Sequence, residues 1–360
     1  MVNENKKILF SIIMPVYNVE KYLKKAIESV LNQNCNNFEL ILINDCSTDS
    51  SLNICKNYLK KHDNIIKLIS LKKNQGLSNA RNLGIEKAIG KYILFLDSDD
   101  WWDKNLLSEI YKIIKKHSNI DLVFFGYSDE WFDKNGKKFA SKVLVPSKGE
   151  YLDKKSLIEK TVQIQEFNND LFAWVANKAY RSDVLKQSVN FNKMPLSEDL
   201  EFMVRLLYKT NSLVTIDKAL LHYRRRPFGS LRSKYQEEFY EIHRKILENR
   251  YNQICKYNLL ETASGMLVRE YLKITFLNLQ MSFYPNSCKS HNYRKDFLLK
   301  IYNDKLWIDI NTKFSKNNFN LKYKFMKYLI DKKLYQLSIS LGFFIYFVKK
   351  NYFYLWSKMR

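Results

Sequence analysis

Ile93-Leu94-Phe95-Leu96-Asp97-Ser98-Asp99-Asp100 runs four apolar residues into three aspartates within eight positions. A short continuous apolar run of this kind fits a strand buried in a parallel sheet. In open α/β sheets, ligands bind outside the carboxyl ends of the strands, so the aspartates stand where chemistry is expected. Asp97 and Asp99 can present carboxylates to one hard cation, Mg²⁺ or Mn²⁺, because such ions prefer oxygen ligands. Equally, Asp99 or Asp100 could cap a helix starting near Trp102. On this stretch alone the two alternatives balance.

Working outward, residues 1–126 alternate short apolar runs with longer amphipathic ones, the pattern of a parallel sheet covered by helices. Strands are expected at 10–14, 39–43, 65–70, 92–96 and 122–125, and helices at 19–33, 48–61, 77–89 and 104–116. Ser47 or Asp49 can cap the second helix, and Gly90 stops the third. This is half of a doubly wound domain. Two more strand ends carry polar groups: Met14-Pro-Val-Tyr-Asn18, with a ring able to stack on a base, and Asn44-Asp-Cys-Ser-Thr-Asp49. Each could be only a turn. Three on one edge of a sheet are harder to dismiss.

After Gly126 turns and charges intervene, as at 134–137. A helix is expected at 154–165, leading into 174–180, and another near Ser197. Short strands follow at 213–216 and 220–223, ending in Arg224-Arg-Arg226. These arginines could clamp a diphosphate through charge-assisted hydrogen bonds or form a solvated basic loop. His222 could add a metal ligand, although an isolated histidine is more often packed or solvent-facing. From residue 233 onward the chain reads as helical, basic and aromatic.

The chain has 360 residues, 46% of them hydrophobic, enough for a sizeable core. Its formal net charge of +23 calls for an acidic partner: nucleic acid, anionic membrane or a phosphate-bearing substrate. Five cysteines without a CxxC pair argue against a disulfide framework or zinc site and fit a reducing cytosol. No signal peptide is expected at the N-terminus, and the longest apolar window, 334–348, is too short to span a bilayer.

Residues 11–103 resemble the N-terminal half of family 2 glycosyltransferases of the GT-A fold. The matching motifs are Ser11-Ile-Ile-Met-Pro-Val-Tyr-Asn-Val-Glu20, Ile43-Asn-Asp-Cys-Ser-Thr-Asp49, Asn74-Gln-Gly-Leu-Ser-Asn-Ala-Arg-Asn-Leu-Gly84 and Leu96-Asp-Ser-Asp-Asp100. Four motifs in order make the match specific. It continues more loosely to about Arg232 through Trp174-Val-Ala-Asn-Lys-Ala-Tyr-Arg181, Ser197-Glu-Asp-Leu-Glu-Phe202 and His222-Tyr-Arg-Arg-Arg226. The fold implied is a GT-A-type doubly wound mixed sheet flanked by helices. It would occupy residues 1–232, with a nucleotide-binding half at 1–126 and an acceptor half at 127–232, followed by a helical basic extension at 233–360.

The resemblance implies that Pro15, Tyr17, Glu20 and Asp45 hold the nucleoside, with Arg81 near the base or phosphates. It makes Asp199 the general base, with Glu198 as its neighbour; the structural alternative is that both are acidic residues favoured at a helix start. Cys46 departs from the family's usual glycine. A nucleotide-sugar donor, with UDP as carrier, and a glycan or lipid-linked glycan acceptor follow from the resemblance, as do inversion and a Mn²⁺ or Mg²⁺ cofactor held by Asp97 and Asp99.

Lysines mixed with aromatics beyond residue 321 suit a helix at an anionic membrane interface, hence a peripheral enzyme on the inner face of the cell membrane; the alternative is a helical hairpin packed on the catalytic domain. A nucleic-acid-binding protein is the rival from another class, but zinc-finger, RRM and helix-turn-helix signatures are lacking, and acidic strand ends repel a phosphate backbone. No specific nucleic acid is expected. A sugar nucleotidyltransferase could use similar acids, whereas a dehydrogenase is disfavoured by the missing GxGxxG.

Overall fold

The computed structural model describes residues 8–133, 136–163, 170–188, 190–194, 196–225, 235–313 and 321–351. Expectations placed on 1–7, 134 and 135, 164 and 165, Arg226 and 352–360 lie outside these residues. Two compact units form, Met1–Pro227 and Phe228–Arg360.

The first unit runs β1 (Phe10–Val16), α1 (Glu20–Leu31), β2 (Phe38–Asn44), α2 (Ser51–Lys61), β3 (Ile66–Ser70), α3 (Leu77–Lys87), β4 (Tyr92–Phe95), β5 (Trp101–Trp102) and α4 (Leu106–Lys116). It continues through β6 (Leu122–Phe132), β7 (Lys138–Leu144), β8 (Gly149–Tyr151), α5 (Lys154–Gln163), α6 (Asp170–Ala173), β9 (Lys178–Arg181), α7 (Ser182–Ser188), α8 (Glu198–Leu207) and β10 (Leu213–Arg225). The strands make one mixed sheet in the order β3-β2-β1-β4-β9-β6-β10-β5, with β7 on β6 and β8 on β10. β1 pairs parallel with β2 and β4, and β6 pairs parallel with β10, while β9 lies antiparallel between β4 and β6. β1 and β2 are buried along their whole length, which is why they read as unbroken apolar runs rather than alternating ones. α1 turns Leu23, Ala26, Ile27 and Val30 inward at helical spacing. α3 sits close to β1 at Gly84, where any Cβ would strike the side chain of Ile13.

Two expectations change. Trp101 and Trp102 form a short strand against β10, and α4 begins only at Leu106, with Asp103 Oδ1 accepting the Asn105 N–H at 2.8 Å. Neither Asp99 nor Asp100 therefore caps a helix at Trp102; the Asp100 carboxylate instead accepts the Arg224 N–H at 2.8 Å. The two short strands at 213–216 and 220–223 are one strand, β10, whose register with β6 shifts between Ile216 and Leu221. The extra residues around Asp217 and Lys218 bulge outward, so a break in hydrophobic alternation resembled a strand end. Finally, β9 enters the sheet with reversed direction, which an apolar count of 174–180 does not reveal.

The second unit is helical through its described residues: α9 (Phe239–Lys256), α10 (Leu260–Met281), α11 (His291–Tyr302), α12 (Lys305–Thr312), α13 (Leu321–Asp331) and α14 (Tyr335–Asn351). Its core packs around α10, and a buried Asp304 binds Arg244 through both oxygens at 2.7 Å and accepts from the Tyr271 hydroxyl at 2.6 Å. On α14, Leu337, Phe344 and Phe347 are exposed at helical spacing, beside Phe343, and α13 exposes Phe325 and Tyr328. Among the described residues no helix is long and apolar enough to cross a membrane.

Candidate active site

The carboxyl ends of β1, β2 and β4 lie side by side, with Val16 opposite Asn44 and Ile13 opposite Phe95. Asp45 follows β2 and is buried; its two oxygens accept the N–H groups of Gln75 at 2.7 Å and Gly76 at 2.8 Å. The carboxylate thus fixes the start of α3, where Gly76 takes a φ of 88° that a side chain would strain. Each oxygen retains a second lone-pair direction. Pro15 is buried in β1, whereas Tyr17 just beyond it is 48% exposed, its ring open for stacking. Glu20 accepts the Ser50 N–H at 2.9 Å while its own N–H donates to Asp49 at 3.0 Å, so it joins the start of α1 to the turn before α2. Cys46 has a φ of 60°. That left-handed backbone is the one glycine adopts without cost, so the turn keeps its shape despite the unusual residue.

Arg81 of α3 gathers the acids. Its guanidinium is 1% exposed, donates from Nη1 to Asp199 Oδ1 at 2.5 Å and from Nη2 to Asp97 Oδ1 at 3.0 Å, and has Glu198 Oε1 at 3.6 Å. The ring of Phe191 lies 5.2 Å from it. Asp97 comes from the end of β4, while Glu198 and Asp199 open α8, more than a hundred residues away in sequence. Burial opposes the charge on Arg81, but Asp199, Asp97 and Glu198 outweigh it and hold the guanidinium protonated. Burial pushes the Asp199 carboxyl up to about 7; Arg81 pulls it down, and Glu198 and Asp97 push it up again. Asp199 is therefore poised to exchange a proton near neutrality.

A second corner forms where β10 meets β5 and β6. His222 stands opposite Trp101 and stacks on its indole, 3° from parallel, while Nδ1 lies 2.7 Å from the buried carboxylate of Glu130. Two residues on, Arg224 donates from Nε to the Asp99 carbonyl at 3.3 Å and lies against Tyr22, Trp101 and Phe132. Lys25 of α1 covers the same indole, its Nζ 3.2 Å from the ring centre. Arg225 points elsewhere and forms a two-pronged pair with Asp129 at 2.8 Å, which occupies it structurally. Arg226 lies outside the described residues.

The structure thus brings Arg81, Asp97, Glu198 and Asp199 into one cluster and Pro15, Tyr17, Glu20 and Asp45 onto the neighbouring strand ends. Asp99 and His222 belong to the β10 corner. Among the described residues no group of three or more His, Cys, Asp or Glu side chains is arranged around a common ion position. Mg²⁺ and Mn²⁺ bind through one or two carboxylates with substrate phosphates completing the shell, and of the two acids expected to do this Asp97 already accepts from Arg81 Nη2 at 3.0 Å. Sequence inspection missed Lys178, fully buried with Nζ donating to Asn177 Oδ1 at 2.7 Å, to Leu171 O at 3.2 Å and to Trp174 O. It fixes the chain carrying Trp174, which stacks on Tyr127 at 4.3 Å. An Asn177-Lys178 pair set between apolar residues was the available signal.

The model of the family described as Glycosyl transferase family 2 matches residues 11–189. The chain is 28% identical over 273 residues to glycosyltransferase GlyA of Streptococcus pneumoniae, covering 76% of this chain and 38% of GlyA. It is 32% identical over 228 residues to the minor teichoic acid biosynthesis protein GgaB of Bacillus subtilis, 61% of this chain and 23% of GgaB. It thus spans well under half the length of both relatives. Over 261 residues it is 32% identical to the putative glycosyltransferase EpsH of Bacillus subtilis, covering 70% of each chain. The fold is similar to that of S. aureus TarS 1-349, with a TM-score of 0.62 at 20% identity over 93% of this chain and 90% of that one. TarS has also been seen with UDP-GlcNAc, in a structure similar at a TM-score of 0.57 and 21% identity over 94% and 89%.

Proposed function

The chain belongs to glycosyl transferase family 2, and we propose that it moves a sugar from a nucleoside diphosphate donor to a hydroxyl of a glycan or lipid-linked glycan, inverting the anomeric carbon. One observation carries the proposal: buried Arg81 ties Asp97, at the end of β4, to Asp199, at the start of α8, so donor-side and acceptor-side acids share one cation. UDP as the carrier draws support from the complex of TarS with UDP-GlcNAc, and a cell-surface polymer as the product from GgaB's role in minor teichoic acid biosynthesis.

In this scheme Tyr17 stacks on the base, Pro15 and Glu20 shape the pocket, and Asp45 accepts a hydrogen bond from the base through its remaining lone pairs. Asp199 takes the proton of the acceptor hydroxyl as its oxygen bonds to the anomeric carbon. The bond from that carbon to the diphosphate breaks on the opposite face, and the bonding electrons leave with the phosphate oxygen. The transition state has oxocarbenium character. Asp97 and Asp99 would hold the divalent cation, which when bound offsets charge on the departing diphosphate. Arg81 keeps Asp199 oriented and restrains its basicity, while Glu198 opposes that restraint.

We assign catalysis to residues 1–232 and membrane contact to 233–360. Lys324 and Lys327 on α13 and Lys349 and Lys350 on α14 share those helices with exposed aromatics, a mixture suited to a peripheral position on the inner face of the membrane.

The test is the purified chain with a panel of nucleotide sugars, an acceptor glycan and Mn²⁺, with both nucleotide and pyrophosphate release measured. Free nucleoside diphosphate matched by glycosylated acceptor is expected. Release of pyrophosphate instead would make the chain a nucleotidyltransferase and end the proposal.

A further inference from the structure

We propose that Trp174 recognises the acceptor, contacting the sugar ring whose hydroxyl is to be glycosylated, and that buried Lys178 is the positioning residue that holds it there. The inference rests on the transferase reading of the neighbouring acids.

Strand register puts Trp174 on the ligand-binding edge of the sheet. β9 runs antiparallel between β4 and β6, with Ala179 opposite Leu94 and Lys178 opposite Phe124. The residues leading into β9 therefore lie at the carboxyl end of β4, where Asp97 follows. α6 ends at Ala173 and packs on α8, the helix that opens with Glu198 and Asp199. On the other side Trp174 meets Tyr223 of β10. Trp174 thus stands between the helix of the base and β10, whereas Tyr17 and Asp45 follow β1 and β2, on the far side of β4. That separation leaves the nucleoside to those residues and the acceptor to Trp174.

Lys178 directs all of its ammonium hydrogens into this stretch, to Asn177 Oδ1 at 2.7 Å, to Leu171 O at 3.2 Å and to Trp174 O. Burial pushes the ammonium well below the usual lysine range, and the Asp199 carboxylate draws it back. A methionine would fill much of the same space without a buried charge, so what the lysine adds is the fixed course of residues 171–177. The indole is then gripped from two strands, by Tyr127 of β6 at 4.3 Å and 23° and by Tyr223 of β10 at 4.2 Å and 59°. It nevertheless stays partly exposed. Its N–H makes no hydrogen bond among the described residues and, unlike that of Trp102, is not sealed from solvent. A tryptophan that served only the core would have that N–H paired inside the protein. A rigid aromatic edge with one open donor matches a sugar ring, which presents C–H surface beside hydroxyl oxygens that accept hydrogen bonds.

Isotope labelling of the tryptophan nitrogens in the full chain gives six indole signals, and the one absent from Trp174→Phe belongs to Trp174. Methyl glycosides of glucose, galactose and N-acetylglucosamine are titrated into the UDP-saturated chain. At least one should move the Trp174 signal, and UDP alone should leave it in place. A signal that no glycoside moves, or that UDP moves as far, overturns the inference. Trp174→Phe keeps a ring between Tyr127 and Tyr223 and loses the N–H, so affinity for that glycoside should fall by about threefold to tenfold, the usual loss for one hydrogen bond, with UDP affinity unchanged in calorimetry. In sugar transfer to the same glycoside the loss should appear in the acceptor KM rather than in kcat. A merely structural tryptophan would instead lower stability in urea and leave that KM alone, which also overturns the inference. Lys178→Met should displace the Trp174 signal and raise the acceptor KM; a signal at its wild-type position with an unchanged KM refutes the positioning role. A glycoside that moves Trp174 in a chain that transfers no sugar would leave the contact standing and remove the transferase reading.

Discussion

Replacing Arg81 by methionine removes the cation that pairs with Asp97, Asp199 and Glu198 while keeping much of the side chain's volume. Breaking a buried ion pair by deleting one partner costs about 3–5 kcal/mol, because the other partner stays charged and unpaired. Here the loss should depend on pH. Burial pushes the Asp199 carboxyl up to about 7 even with Arg81 in place, and the Arg81 guanidinium holds it down from there. A unit charge about 4 Å away at an effective dielectric of about 20 is worth about 4 kcal/mol, or about three pKa units at the outside. Without it Asp199 stays protonated well above neutrality. A carboxyl whose folded pKa lies above its unfolded value favours folding at acid pH, and that contribution is lost as pH rises through the folded pKa. Arg81→Met should therefore lose least stability near pH 6 and most near pH 9. Transfer at neutral pH should collapse, with its rise in rate against pH moved upward by a unit or more. Urea unfolding at several pH values and a pH–rate profile for sugar transfer measure both effects. A variant within about 1 kcal/mol of wild type at pH 9, with an unmoved pH profile, would refute the idea that Arg81 governs this cluster.

Wild-type transfer should rise with pH through about 7 as Asp199 ionises, and Asp199→Asn should lower turnover by about 10²-fold or more while UDP affinity survives calorimetry. If Glu198→Gln is inactive and Asp199→Asn is not, the base is Glu198. Asp97→Asn and Asp99→Asn should each depress Mn²⁺-dependent donor turnover with an unchanged circular dichroism spectrum; identical Mn²⁺ titrations would remove the cation from these residues. Changing Leu337, Phe344 and Phe347 together to serine should reduce sedimentation with anionic liposomes, and salt should do the same to the wild type. Equal sedimentation of both proteins at low salt would exclude this face as the contact.

Local signals explain which parts could be read in advance. The first four principal strands and helices were legible because their apolar spacing is set by burial within one short segment, as in β1 or in Leu106, Leu107, Ile110 and Ile114 of α4. The acidic strand ends were legible for the same reason, since each follows its strand directly. The Arg81 cluster was not: Asp199 lies 118 positions from its partner, and no periodicity encodes that meeting. The Lys25–Trp101–Arg224 corner was hidden likewise, because it depends on Trp101 forming an edge strand rather than opening a helix. The bulge in β10 hid a long strand by disturbing its alternation.

The reversed strand β9 has a consequence for synthesis of the chain. Its four residues join β4 on one side and β6 on the other, so they stitch the β1–β4 part of the sheet to the part containing β6 and β10. Until residues 178–181 have left the ribosome, β4 has an open edge of buried apolar residues, a surface prone to pairing with other chains. The nascent β1–β4 part of the sheet is therefore vulnerable for nearly eighty residues after its own last strand-end motif is complete, over the interval from 100 to 178. Expression at low temperature, slower translation or a chaperone that holds extended edges should raise the yield of this protein more than added stability in the finished fold would.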